Sequence, residues 1–150
     1  MGGLTVRHAA ASAGQVRRRL VEDLNRLGFS RELVDSAALL VSELIGNAIR
    51  YARPLPGNVL RVRWELGGGR LLLRVTDGGG RDEPQLKDAG PADTRGRGLA
   101  IVATISAAWG VERAPHAVGT ASTVWAALPL SHPDRSAARS AAAAGSAGQR

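Results

Sequence analysis

Residues 42–52 read SELIGNAIRYA. They fall inside a pattern in which Leu33, Ala37, Leu40, Leu44 and Ala48 recur at helical spacing, so a helix is expected from Arg31 to about Ala52, capped by Ser30. Into this apolar helix the sequence sets a carboxylate and a carboxamide one turn apart. Glu43 and Asn47 lie about 40° apart on a helical wheel, at the margin of the apolar stripe. Both can therefore look into the same cleft while the stripe anchors the helix. Burying the edge of a carboxylate there costs free energy unless a cation, water or ligand completes its surroundings. The plainer alternative is a solvated helix margin, which such residues usually form. Neighbouring segments have to decide between the two.

Towards the N-terminus, Leu4–Val6 reads as a short edge strand. Ser12-Ala13-Gly14-Gln15 has the form of a capping box opening an amphipathic helix that runs to about Leu27 and ends at Gly28. On the other side, Pro54 and Pro56-Gly57 stop the helix. From Val59 to Leu66, Leu60, Val62, Trp64 and Leu66 alternate with Arg61, Arg63 and Glu65, the period of a half-buried strand. Gly67-Gly68-Gly69 then turns the chain into a return strand faced by Leu71, Leu73 and Val75. Residues 78–97 lack periodicity and form a loop of the length expected of a lid or binding loop. Helix resumes from Gly98 to about Ala107, and two last strands follow, Trp109–Arg113 and Thr120–Leu130, with a turn at Pro115 and Gly119. Residues 1–132 thus read as one domain, and 133–150 as an Ala/Ser/Gly-rich tail expected to be disordered.

With 150 residues, 44% of them hydrophobic, the chain can build a single core. The absence of Cys removes disulfides and thiolate metal sites and fits a reducing cytoplasm. No stretch approaches the roughly 20 apolar residues of a membrane span, and the first thirty lack a signal-like apolar run, so a soluble, unexported protein is expected. The net charge of +7 is spread along the chain, and three Trp, one Tyr and one Phe offer little stacking surface, which argues against direct nucleic-acid binding. His8, His116 and His132 are scattered without metal-ligand spacing and are expected at the surface.

Two further segments carry chemistry. Strand alternation puts Asp77 on the same face as Leu71, Leu73 and Val75, where Gly78-Gly79-Gly80 begins. An inward carboxylate must find donors. It either closes an Asp-Gly turn or accepts a hydrogen bond from an amino group such as that of adenine, the glycines letting a ligand approach the backbone. In TRGRGLAIV, residues 94–102, Gly96 and Gly98 stand where a loop enters a helix, so backbone N–H groups there can face a phosphate, assisted by Arg95 and Arg97. Taken alone this is a helix start with permissive glycines; it is neither a P-loop nor a dinucleotide fingerprint.

Acid and amide on a helix, Asp-x-Gly after a strand, a long loop, Gly-x-Gly-Leu opening a helix and the terminal strand GTASTVWAAL occur in this order. Together they resemble the GHKL ATPase family with its Bergerat fold, over about residues 12–130. The resemblance implies an α/β two-layer sandwich: a mixed, mainly antiparallel sheet with helices on one face. It casts Glu43 as general base, Asn47 as Mg²⁺ ligand, Asp77 as the acceptor of the adenine amino group with Gly79 beside the base, and Gly96, Gly98 and Leu99 at the phosphates beyond a lid from about Arg81 to Arg97. Thr123 resembles a strand threonine that helps to bind adenine. An amide oxygen is a hard ligand suited to Mg²⁺, and a carboxylate can take a hydroxyl proton, so the chemistry agrees with these roles.

Within that family the short chain and the wording VSELIGNA look most like stand-alone anti-sigma-factor serine kinases, with ATP and Mg²⁺ as cofactors, a sigma factor and an antagonist protein as partners, and dimerisation common among relatives. Tyr51 stands where those kinases usually have His, and Arg81 replaces the second glycine of the first glycine motif. Glu43 departs from typical histidine kinases, which more often carry Asn there. A nucleotide-sensing module that transfers no phosphate, and a detached ATPase domain working with a partner's His, are the other readings.

Overall fold

The computed structural model describes residues 1–80, 106–116 and 119–130. Among them the chain forms β1 (Gly2–Arg7), α1 (Ser12–Arg26), α2 (Arg31–Tyr51), β2 (Val59–Gly67), β3 (Arg70–Asp77), β4 (Ala108–His116) and β5 (Gly119–Pro129). The sheet order is β1-β2-β3-β5-β4, and all four pairings are antiparallel. The segment 81–97 expected to form a lid, Gly96, Gly98, Leu99, His132 and the segment 133–150 expected to form a tail lie outside the described residues. So does the expected helix at 98–107, except for Ser106 and Ala107, which are not helical; the Ala107 N–H already donates to Ala127 O at 2.7 Å.

Period-2 alternation builds the inner face of the sheet. Cross-strand register aligns Leu4, Val62, Val75, Val124 and Val111 in one row and Gly2, Trp64, Leu73, Ala126 and Trp109 in the next. Against these rows pack Val16, Leu20 and Leu24 of α1 and Leu33, Ala37, Leu40, Leu44 and Ala48 of α2, giving one core between two helices and one sheet face. The hairpin β2–β3 turns at Gly68 and Gly69, with φ of +59° and +73°, the left-handed pair that suits right-twisted strands.

Helix α2 starts as the sequence indicates: the Leu33 N–H donates to Ser30 Oγ at 3.2 Å. The capping box at Ser12 does not form. Ser12 is the first residue of α1 rather than its cap, and its Oγ donates to Arg7 O at 2.7 Å. Successive turns, Ala9 N–H to Arg7 O and Ser12 N–H to Ala9 O, lead the chain from β1 straight into the helix. Pro115 also departs from the expected turn and lies within β4, opposite Thr120. β4 is an edge strand, where a missing N–H is tolerated. Trp64, 1% exposed, donates its indole N–H to Asp23 Oδ2 at 3.1 Å and ties β2 to α1. No helix among the described residues is long and apolar enough to cross a membrane.

Candidate functional site

α2 lies across β3 and β5 on the helix-bearing face of the sheet. Its apolar stripe is buried, and at the margin of that stripe Asn47 is 9% exposed while Glu43 is half-buried. Among the described residues no group hydrogen-bonds the Asn47 carboxamide. No fully buried side-chain nitrogen or oxygen among the described residues lacks a partner, so the carboxamide keeps some access to solvent, and its oxygen is of the kind a hard cation accepts.

Asp77 ends β3 on the inner face, 3% exposed. Burial pushes its carboxyl up from the ordinary 3.8 to about 6, opposed by a hydrogen bond from the Gly79 N–H and by the charges of His8 and Arg113. The Gly79 N–H donates to Asp77 Oδ1 at 2.7 Å, so the Asp-Gly turn does form, with the second carboxylate oxygen left for another donor.

The turn itself is pinned to the chain that leaves α2. The Gly78 N–H donates to Arg53 O, and the Arg53 N–H to Gly79 O, each at 2.7 Å. Any Cβ at Gly78 would overlap the Pro54 carbonyl. Gly79 has φ of +83° and packs against Thr120 O. Both positions thus require glycine, and both leave bare backbone beside Asp77. A cavity of about 360 Å³ opens beside this turn, lined by Arg53, Pro54, Leu55, Pro56, Gly78, Gly119, Thr120 and Ala121. The side chains of Glu43, Asn47 and Asp77 do not line it.

Thr123 is placed differently from the expectation. Its Oγ1 is 2.7 Å from Thr76 Oγ1, on the sheet face away from Asp77, because strand parity turns both threonines outward. The β5 residue in Asp77's own row is Ser122, buried, and β4 adds Arg113 to the same row. Counting back by twos from the core residues Ala126 and Val124 reaches Ser122, a signal present in the sequence. His8 departs as well. It is half-buried rather than at the surface, and its Nε2 lies 3.1 Å from Ala48 O and 2.9 Å from Ala52 O. Among the described residues no cluster of His, Cys, Asp or Glu could hold a metal ion.

The groups present fit an adenine nucleotide with a divalent cation. A buried acceptor sits at a strand end beside backbone free of side chains, and the Asn47 amide oxygen, a hard ligand, stands on the helix that packs against that strand.

The sequence pattern described as histidine kinase-like ATPase domain matches residues 6–126. No curated protein matches. Among solved structures the matches include the Acinetobacter baumannii histidine kinase AdeS, 16% identical over 88% of this chain and 69% of that one, with a TM-score of 0.42.

Proposed function

From the premise that this chain belongs to the histidine kinase-like ATPase domain family, of GHKL type, we propose that it is an Mg·ATP-dependent serine kinase that acts on a regulatory protein, in the manner of anti-sigma-factor kinases. ATP binding follows from the family; the acceptor serine, Mg²⁺, the sigma-factor partner and a cytoplasmic setting are the proposal. The observation that carries it is Asp77: a carboxylate buried at a strand end, one oxygen held by Gly79 and the other available, next to backbone on which no side chain can stand.

In this reading Asp77 accepts the adenine amino proton, with Gly79 and the Ser122 hydroxyl beside the base. The Asn47 oxygen would hold Mg²⁺, which when bound offsets charge on the phosphate oxygens. Glu43, one turn back on the same helix face, takes the proton of the acceptor serine as its Oγ forms the new bond to the γ-phosphorus; the bond from that phosphorus to the bridging oxygen breaks and ADP leaves. Half-burial keeps the Glu43 carboxylate anchored by α2 yet within reach of an incoming hydroxyl. Gly96, Gly98 and Leu99 would meet the phosphates.

Incubation of the purified chain with labelled Mg·ATP and an antagonist protein tests this. Phosphoserine on the partner, lost by at least about 100-fold in Glu43→Ala with nucleotide binding kept, is the expected outcome. Partner binding without label would assign a nucleotide-sensing module instead, and acid-labile label a phosphohistidine relay.

A further inference from the structure

We propose that His8 is a positioning residue of the nucleotide site, clasping the end of α2 to the turn that presents Asp77; the inference rests on the adenine-nucleotide reading of that site. His8 directly follows β1, and its N–H donates to Asn58 O at 2.9 Å, which fixes it against the segment entering β2. Its ring reaches into α2. Because Ala48 O and Ala52 O can only accept, Nε2 carries the hydrogen and shares it between them.

Those two carbonyls mark the point where α2 hands over to the glycine turn. Ala48 O also accepts the Ala52 N–H, and the next residue, Arg53, makes both backbone bonds to Gly78 and Gly79. A single imidazole 40 residues away in sequence thereby closes the frame that sets the Asp77 carboxylate relative to the Asn47 helix. Charge provides a second, separate link. His8 after β1 and Arg113 on β4 are the two charged groups acting on the Asp77 carboxylate, and both favour its ionised form.

The two effects separate by substitution. Gln at position 8 keeps an N–H donor without the charge, whereas Ala removes both. Calorimetric titration with Mg·ATP near pH 8 is expected to show His8→Ala weaker than wild type by about tenfold, with His8→Gln recovering most of that loss. When the titrations are repeated down to about pH 5, affinity in His8→Gln is expected to fall away at higher pH than in wild type, because Asp77 has lost a neighbouring positive charge. In the nucleotide-free protein, the Arg53 and Gly78 amide protons should exchange about tenfold faster in His8→Ala than in wild type.

Unchanged affinity, pH profile and exchange in both variants would overturn the proposal, as would a lower melting temperature with affinity intact. If His8→Ala does not fold, the pH profile of His8→Gln decides. Wild type that gives no heat with Mg·ATP would sink the nucleotide reading alone, and amide exchange would still decide the clasp.

Discussion

At Asp77 the demands of folding and of binding oppose each other. Its carboxyl is raised to about 6 in the folded chain, so the native state holds the proton more tightly than the unfolded one. Stability from the protonated form is complete below the unfolded value, near 4, and is lost as pH rises through about 6. Near pH 7.5 the nucleotide-free protein therefore carries a buried ionised carboxylate at a cost on the order of 3 kcal/mol. Asp77→Asn, which keeps an oxygen for the Gly79 N–H, is expected to be more stable than wild type near pH 7.5, with the gap closing below about pH 4, and to bind Mg·ATP at least about tenfold more weakly. Denaturant unfolding across that range together with calorimetry checks it; a variant less stable than wild type near pH 7.5 would contradict it. Asp77 was readable because Leu71, Leu73 and Val75 fix the parity of β3 without ambiguity. β5 has no such alternation, since Val124 to Leu128 is apolar throughout, so its parity cannot be read locally, and the resemblance points to Thr123 where the register sets Ser122 in Asp77's row. His8 had no local signature at all, because its partners lie 40 and 44 residues away.

Among the elements, α2 was the most legible, since propensity, apolar spacing and the Ser30 cap all agree with the fold. α1 shows what a short motif leaves undecided. The pattern at Ser12 needs an extended residue in the cap position, but the turn after β1 delivers helical geometry one residue earlier, at Ala11, and the serine hydroxyl goes to Arg7. What joins α1 to the sheet is polar as well as apolar. The Trp64–Asp23 bond is buried, Arg19 adds a contact to the same carboxylate at 3.3 Å, and a Cβ at Gly2 would collide with both partners. Trp64→Phe keeps most of the ring's burial but leaves Asp23 Oδ2 without its donor, and is expected to cost about 2 kcal/mol. Urea unfolding measures it; a loss under about 0.5 kcal/mol would mean that solvent or Arg19 replaces the indole.

The complete molecule adds what no segment carries. Five strands were expected from the sequence, but the insertion of β5 between β3 and β4 has no local sign, because strand order is set by pairings between distant residues. That order brings Asp77, Ser122 and Arg113 into one row and makes β4 an edge that tolerates Pro115. Nucleotide binding is a property at this scale. Mg·ATP at about 100 times its dissociation constant should add roughly 2.7 kcal/mol and raise the melting midpoint by several degrees; no shift at millimolar ATP would count against the site. The two-glycine hairpin has one more consequence, for how the chain reaches this state. β2 and β3 are neighbours in sequence and both interior in the sheet, so an interior pair is also one with a short search, on the order of microseconds. Once zipped, that ribbon offers a free edge on either side, and the slower, distant strands β1 and β5 have a template to dock on.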